Sequence, residues 1–505
     1  MQDSPLRTGT GRVEEHCPPG CRPNRHPGGS RRPRLAGAPS AATAQARGRP
    51  PAAARLVVAA WGRAQAQRWA GGAAGWSSDR YSAGFWNQTG GVSVGQSPAA
   101  YDRSVSTRLE PGRTLSLPLL VLGQGRDLAS ERGVECPGGL PAPSEPGLVE
   151  RARAAKAALG DRVFILGHHY QRDEVIEFAD VTGDSFKLAK EAAARPDAPY
   201  IVFCGVHFMA ESADILTASH QQVILPDLAA GCSMADMAAI SQVEDAWDDL
   251  AEMGIVDLLI PVTYMNSSAA IKAFTGRHGG TICTSGNAST AMQWAFDQRG
   301  GLRSEAKVLF LPDQHLGRNT AVRELGLSLR DCVVFDPHQP AGGLTREQVR
   351  AARVILWRGH CSVHGRFSLE AVEAARTAIA GVKVIVHPEC QYEVVQAADE
   401  VGSTEKIIAT IAAAPDGTSW AVGTELNLVR RLASMFPTQH IAFLEKNVCY
   451  CSTMNRIDLA HLVWALESLV AGRVVNQISV DADVARWARV ALEQMLALPG
   501  EAAKD

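Results

Sequence analysis

The chain has 505 residues, is 46% hydrophobic and 20% charged, and carries a formal net charge of −3. That composition is typical of a soluble globular protein of two to four domains, and no apolar run approaches the roughly 18 residues of a membrane span. We therefore expect neither a membrane nor a nucleic acid as partner. The 11 cysteines are scattered and no secretory segment follows Met1, so we expect free thiols and a cytoplasmic location.

Residues 1–145 differ in composition from the rest of the chain. They contain no Lys and no Ile, and Arg, Pro, Ala and Gly dominate without a sustained apolar period. Such a segment does not bury enough surface to offset its chain entropy. We interpret it as a disordered leader or an over-extended start, with an Arg-rich transit peptide as a third reading. Its Arg clusters lack the interleaved aromatic residues typical of nucleic-acid binding.

From about residue 147, short apolar runs alternate with amphipathic helical stretches, among them 184–195, 368–380 and 403–414. The runs predicted as strands are 163–167, 200–205, 222–226, 256–264, 281–286, 307–313, 333–337, 353–359, 383–389, 419–425 and 440–445. This β–α alternation, with many β-branched residues in the strands, indicates an α/β fold with parallel sheets covered on both faces. Ligands bind such folds outside the carboxyl ends of the strands.

These strands are too many for one doubly wound sheet. Cys232, Cys361 and Cys451 follow apolar runs at wide and similar spacing. We predict three small three-layer α/β/α domains, related by pseudo-threefold symmetry around a central cluster, although no residue-level repeat is visible. The predicted units are residues 146–235, with a C-terminal helix packing back on them, 236–361 and 362–485.

A wide triplet of cysteines suggests a metal centre with an open position. Iron–sulfur cubes are normally held by four thiolates, so three would leave one iron free to act as a Lewis acid on a substrate. Spacing alone does not settle the ligands, since Cys390 lies at a strand tip and Cys449 is close to Cys451. The absence of a C-x-x-C pair argues against a zinc ribbon or a ferredoxin.

The sequence GHHYQRDE follows the first predicted strand. Neighbouring side chains of an extended chain point to opposite faces, so His168 and Tyr170 share one pocket and His169 faces away. Farther on, Asp184 or Ser185 caps a helix whose free N–H groups suit an anion. Ordinary capping of backbone groups explains these residues equally well.

Further polar residues follow later strands, and each also has a purely structural explanation. They are Tyr264, Asn266, Ser285, His364, His387, Glu389, Ser403 and Thr404. Glu389, at a strand end, is the candidate general acid or base, and we expect His364 in the same pocket. Ser403 or Thr404 begins a helix and offers a second anion site.

Several motifs in this order resemble the quinolinate synthases, in the longer branch of that family. They include GHHYQRDEVIEFADVTGDS, ILPDLAAGCSMADM, PVTYMNSSAAIKA, FLPDQHLGRNTA, WRGHCSVHGRF, VIVHPEC, VGTELNLVRRL and CYCSTMNRIDL. The resemblance covers roughly residues 147–478. It implies three α/β domains around one 4Fe-4S cluster per chain, with Cys232, Cys361 and Cys451 as its ligands.

The resemblance also implies the reaction, which condenses iminoaspartate with dihydroxyacetone phosphate to quinolinate, phosphate and water in de novo NAD biosynthesis. An aspartate oxidase or dehydrogenase would supply the iminoaspartate. The implied catalytic residues are Glu389, Tyr170, His364 and Tyr264. The implied substrate-binding residues are His168, Ser185, Tyr264, Asn266, Ser285, His387, Glu389, Ser403 and Thr404.

Two other functions fit parts of the pattern. One is a zinc-dependent lyase that uses His168, His387 and a cysteine. The other is an iron–sulfur redox sensor on an α/β scaffold, without a substrate pocket. The polar residues at the strand ends favour a pocket over a bare sensor.

Overall fold

The computed structural model describes residues 140–445 and 450–499. All of them belong to one compact unit, Pro111–Asp505. The predicted leader, residues 1–145, therefore lies outside the described residues except for 140–145, and Cys449 lies outside them as well.

Three sheets organise the described chain. Their strands are β1 (Val163–His168), β2 (Val181–Gly183), β3 (Tyr200–Cys204), β4 (Gln222–Ile224), β5 (Leu259–Tyr264), β6 (Thr281–Cys283), β7 (Lys307–Leu311), β8 (Cys332–Phe335), β9 (Val354–Trp357), β10 (Lys383–Val386), β11 (Glu400–Val401), β12 (Ser419–Gly423), β13 (His440–Phe443) and β14 (Gln477–Ile478). The strand orders are β14-β4-β3-β1-β2 in the first sheet, β6-β5-β7-β9-β8 in the second and β11-β10-β12-β13 in the third.

Helices follow most of the strands and cover the sheets. The α-helices of the described chain are Leu148–Leu159, Asp173–Ile176, Ser185–Ala193, His207–Leu216, Ser233–Asp236, Ile240–Glu252, Ala269–Arg277, Ala288–Asp297, Gln314–Asn319, Arg346–Ala351, Leu369–Ala378, Tyr392–Ala397, Thr404–Ala413, Leu426–Met435, Leu459–Val470 and Ala482–Ala497. A π-type turn, Thr320–Glu324, continues the helix Gln314–Asn319. None of these helices is long and apolar enough to cross a membrane.

The predicted α/β class with parallel sheets is confirmed. All eleven predicted runs contain a strand, and every residue of β1, β5 and β7 is buried, as expected for strands covered on both faces. The pairing departs from the prediction at one edge, where β14 runs antiparallel to β4. This strand belongs to the returning C-terminal chain, and two residues suffice to close the edge of the first sheet.

The C-terminal helices pack back on earlier parts of the chain. Leu459–Val470 lies against Leu148–Leu159, where the Arg151 guanidinium donates to the Glu467 carboxylate at 2.7 and 2.6 Å. Ala482–Ala497 lies against Ala269–Arg277. The strands of each sheet fall within one predicted unit, apart from β14, while the unit boundaries and the pseudo-threefold symmetry stay predictions.

Candidate active site

A cavity of about 700 Å³, open solvent at its mouth included, lies at the carboxyl ends of strands from all three sheets. This is where parallel α/β folds bind ligands. The predicted site residues that line it are His168, Tyr170, Ser185, Cys232, Tyr264, Asn266, Ser285, Cys361, His364, His387, Glu389, Thr404 and Cys451. Ser403, which was also predicted, does not line the cavity and directly precedes Thr404.

The three cysteines reach the cavity from separate loops, and none forms a disulfide. Cys232 precedes the helix Ser233–Asp236, and backbone N–H groups of that turn donate to its sulfur. The Cys361 sulfur accepts from the backbone N–H of His364. The Cys451 sulfur accepts backbone N–H groups in the same way and lies 3.4 Å from Oγ1 of Thr453. Each sulfur therefore has N–H donors that would stabilise negative charge on it.

The chemistry of these donors fits an iron–sulfur cluster. Burial raises the pKa of all three thiols, to about 12 for Cys232. Each would bind as a thiolate only with a cation to offset that cost. Soft thiolates select thiophilic metals, and hydrogen bonds to the sulfurs are a feature of iron–sulfur sites.

A second group of donors overlaps the three thiols. The ligand atoms of Cys361, His364 and Glu389 all lie within 4.8 Å of one another, close enough to hold a metal ion. The donors of the alternative zinc site, His168, His387 and a cysteine, also line the cavity but do not form such a close group among the described residues. The positions of these residues along the sequence did not reveal which of their side chains come close in space.

A continuous series of hydrogen bonds crosses the cavity wall. Nδ1 of His364 lies 2.7 Å from Oε2 of Glu389, and its Nε2 lies 3.1 Å from Oγ1 of Thr424. The Thr424 hydroxyl is 2.9 Å from the Tyr170 hydroxyl, which in turn is 2.9 Å from Oγ1 of Thr404. One direction satisfies every group, with each hydroxyl donating toward His364 and Nδ1–H donating to Glu389.

Glu389 is 2% exposed, yet its surroundings favour the carboxylate. Burial alone would raise its pKa, but the charges of His364 and His387 and a hydrogen bond from Tyr264 outweigh burial and hold the pKa below its ordinary value. Burial and the nearby Glu389 charge raise the pKa of Tyr264 well above its ordinary value. The ring of His387 stacks on that of His364 at 4.4 Å, and burial lowers the pKa of His387 to about 3. The group thus holds one buried carboxylate among hydrogen-bonding side chains.

The predicted alternation after β1 is confirmed. His168 and Tyr170 both line the cavity, and their rings meet edge to face at 4.8 Å. His169 faces away, and its Nε2 lies 2.9 Å from Oε1 of Glu405. Burial lowers the pKa of His168 to about 3, so it presents a neutral ring to the cavity.

Two helix starts meet at this side of the cavity. Oδ1 of Asp184 accepts the N–H of Lys187 at 2.9 Å, so Asp184 is the cap and Ser185 is the first helical residue. Ser403 caps the helix Thr404–Ala413 in the same way, which leaves the Thr404 side chain facing the cavity. In both helices the residue after the cap lines the cavity.

The loop after β5 is held from behind by a buried lysine. Tyr264 and Asn266 line the cavity. Lys272 is completely buried, and its ammonium donates to the Ser267 carbonyl. Burial lowers the pKa of Lys272 to about 8. The lysine thus fixes the backbone that follows Asn266.

Sequence reasoning missed two features of the site. Thr424 joins His364 to Tyr170, and its position immediately after β12 was the signal that could have found it. The apolar part of the wall was also missed, and it consists of Val206, Phe208, Met209, Met234, Met265, Val363 and Met454. These side chains exclude water from one side of the cavity.

Comparison with known proteins identifies the family. The family model described as quinolinate synthetase A protein matches residues 150–497. The chain belongs to this family. It is 72% identical over 389 residues to the quinolinate synthase of a Nocardioides species, which covers 77% of this chain and 99% of the relative. Quinolinate synthases of Streptomyces coelicolor and Acidobacterium capsulatum are 68% and 58% identical, over 76% and 70% of this chain and 96% and 93% of the relatives.

Membership of the quinolinate synthase family confirms the resemblance seen in the sequence motifs. It makes the chain an enzyme of NAD biosynthesis that acts on small molecules. The interpretation as a redox sensor without a substrate pocket is therefore wrong, since the chain is an enzyme and polar side chains converge on a cavity.

Proposed function

We propose that this chain condenses iminoaspartate with dihydroxyacetone phosphate to quinolinate, one phosphate and two water molecules. The observation that carries the proposal is the cavity at the ends of all three sheets, where three free thiols face a buried carboxylate and its hydrogen-bond partners. The sequence relatives carry the name of an enzyme that forms this product. We also propose that the reaction takes place in the cytoplasm.

Cys232, Cys361 and Cys451 would hold a 4Fe-4S cluster at one side of the cavity. Held by three thiolates, such a cluster would have one iron without a protein ligand and would supply Lewis-acid chemistry for the loss of a hydroxyl group. The backbone N–H groups around the three sulfurs would stabilise the negative charge of the thiolates.

Proton transfer falls to the hydrogen-bonded series that ends at Glu389. The ring closure needs a proton removed from carbon and protons delivered to departing water. Glu389 is held as a carboxylate and accepts a proton, while His364 holds it in place and connects it to Thr424 and Tyr170. Tyr264 donates a hydrogen bond to the same carboxylate. Glu389 would give the proton that it takes from carbon to the departing water, and the series would connect the carboxylate through His364 and Thr424 to the Tyr170 hydroxyl.

Substrate binding falls to the polar groups around the two helix starts. The reactants carry a phosphate and two carboxylates, and the first N–H groups of a helix bind anions. Ser185 and Thr404 lie at such positions and line the cavity. His168, Asn266, Ser285 and His387 add donors around the reacting carbons, and Ser403 contributes as the cap that sets the helix start.

Water has to be limited in such a site because iminoaspartate hydrolyses readily. His168, His364, His387 and Glu389 are all at most 4% exposed, so the reacting groups are shielded from solvent. An aspartate oxidase or dehydrogenase is the class of enzyme that would supply the iminoaspartate.

The direct test is an anaerobic assay with both substrates. Iminoaspartate is generated in place by an aspartate oxidase, dihydroxyacetone phosphate is added, and quinolinate is identified by its mass and quantified against a standard. The proposal predicts quinolinate and phosphate in equal amounts, only when both substrates are present. Phosphate release without quinolinate, or no consumption of either substrate, would reject it.

A further inference from the structure

We propose that Asn319 is a positioning residue that fixes the Glu389 carboxylate from behind the cavity. Its side-chain amide donates both of its hydrogens, to the carbonyl oxygens of Pro388 and Cys390, each at 2.8 Å. Pro388 and Cys390 are the residues before and after Glu389 in the chain. The inference rests on the proposed function, since it gives Asn319 its role through the proposed acid–base residue.

The turn that carries Glu389 needs such an anchor. Pro388 and Glu389 are the central residues of a tight turn closed by the Cys390 N–H and the His387 carbonyl at 3.0 Å. Rotation of a peptide plane within such a turn would swing the Glu389 side chain. The Pro388 carbonyl lies in the peptide plane before Glu389 and is bound by Asn319, while the Cys390 N–H lies in the plane after Glu389 and is bound by the His387 carbonyl. Neither plane rotates without breaking a buried hydrogen bond, and the Asn319 bond to the Cys390 carbonyl fixes the next peptide as well.

Asn319 and the turn that it holds follow strands of two different sheets. It ends the helix Gln314–Asn319, which follows β7 of the second sheet, whereas Glu389 follows β10 of the third. The helix itself is fixed to the Cys361 loop, because the Gln314 N–H donates to the Gly359 carbonyl at 2.9 Å. The Asn319 amide therefore links the turn that carries Glu389 to the loop that carries Cys361, a proposed cluster ligand.

The local backbone marks the same residue. Asn319 is 2% exposed, and its Oδ1 has no hydrogen-bond partner among the described residues. The π-type turn Thr320–Glu324 begins directly after it, and such turns are frequent at functional sites. This buried amide therefore directs both of its hydrogens to one turn, while its oxygen has no partner there.

The test compares Asn319→Asp and Asn319→Ser with a matched control. Gln221 lies outside the cavity and also donates its amide to two carbonyls, those of Arg195 and Ala198, each at 2.8 Å. Gln221→Glu removes the same two donations as Asn319→Asp with equal conservation of shape. Steady-state kinetics, iron content and hydrogen–deuterium exchange of residues 387–391 are measured on anaerobically isolated protein.

We expect kcat to fall by about tenfold to a hundredfold in Asn319→Asp, with KM for dihydroxyacetone phosphate and iron content within about twofold of the parent. In Asn319→Ser, which keeps one hydroxyl donor, kcat should fall less. Hydrogen–deuterium exchange at residues 387–391 should accelerate in both Asn319 variants. Gln221→Glu should leave kcat and that exchange unchanged. A kcat within about twofold of the parent in both Asn319 variants, or unchanged exchange, would overturn the inference.

The exchange measurement separates this inference from the proposed function. If the parent chain makes no quinolinate, the proposed function fails, yet the exchange rate of the turn still reports whether Asn319 holds it. If quinolinate forms but residues 387–391 exchange equally slowly in the parent and in the Asn319 variants, only the inference about Asn319 fails.

Discussion

The carboxylate of Glu389 and the imidazole of His364 meet at 2.7 Å, although the two residues lie in separate loops after β10 and β9. Both are 2% exposed, so their interaction is poorly screened by water. The next histidine lies farther from the carboxylate, with Nδ1 of His387 4.0 Å from Oε1 of Glu389. Removing one of them would leave the other as a buried polar group with an unsatisfied atom.

Glu389→Gln tests the acid–base role. The amide keeps the shape of the side chain but does not accept a proton, so we expect turnover to fall by about a hundredfold to ten-thousandfold with iron content unchanged. Exposed Glu393, four residues along the chain, provides the control variant Glu393→Gln. Product formation equal to that of the parent would remove Glu389 from the mechanism.

Cys361→Ser tests the ligand assignment. A hydroxyl is a poor iron ligand, so we expect the variant to lose its cluster, measured as iron and sulfide after anaerobic isolation. Cys390→Ser is the matched control for iron content, because Cys390 is buried beside Glu389 but its sulfur faces the Gly423 carbonyl. A full iron complement in Cys361→Ser would reject the assignment.

Thr424→Val tests the series of hydrogen bonds. Valine matches the shape of threonine but breaks the link between His364 and Tyr170, so kcat should fall by about tenfold or more while iron content holds. Thr275→Val is the control, since within the described part of the chain the hydroxyl of this buried threonine bonds only to the carbonyl of Ile271 in its own helix. Equal kcat values in the two variants would show that the series carries no proton.

Much of the architecture could be predicted because long parallel strands have a clear sequence signal. Runs such as 163–167 and 383–389 are apolar and β-branched, and both contain a strand. β2, β11 and β14 were missed because two or three residues at a sheet edge show no period. The pairing direction of β14 depends on the returning C-terminal chain, which no local pattern reveals.

The site could be predicted to the level of residues but not of contacts. Strand-end polar residues such as His168 and Glu389 were found because the fold places ligands there. Thr424 was missed because a threonine after a strand is usually an ordinary structural residue. Asn319 acts through carbonyls about 70 positions away, and only the packing of the second sheet against the third creates that contact.

The ionisation of Glu405 makes the stability of the fold depend on pH. Burial alone would raise its pKa, but the hydrogen bond and charge of His169 outweigh burial and hold the pKa below its ordinary value. A carboxyl with a lowered folded-state pKa stabilises the fold above its unfolded-state pKa, and that stabilisation is lost as pH falls through the folded-state pKa. We therefore expect Glu405→Gln to lower Tm at pH 7, and the difference from the parent to shrink below about pH 4.

The control for this prediction is Glu400→Gln, because Glu400 is exposed on the edge strand β11. Its Tm should follow that of the parent at both pH values in thermal scans. The same Tm difference for Glu405→Gln at pH 7 and well below pH 4 would show that the pairing with His169 does not shift the carboxyl.

Deletion of residues 1–130 tests the interpretation of the leader. The family match begins at residue 150, so we expect the shortened chain to retain its iron content and kcat within about twofold of the full chain. Both are measured on protein isolated in parallel. An inactive or insoluble truncation would give the leader a function.

We propose that turnover depends on a cluster held by three cysteines. The sharpest test is to measure the iron and sulfide content of the anaerobically isolated chain beside its rate of quinolinate formation. We expect about four iron and four sulfide per active chain, with activity falling in proportion as the cluster is removed. Protein that contains no inorganic sulfide and still forms quinolinate at the full rate would contradict it.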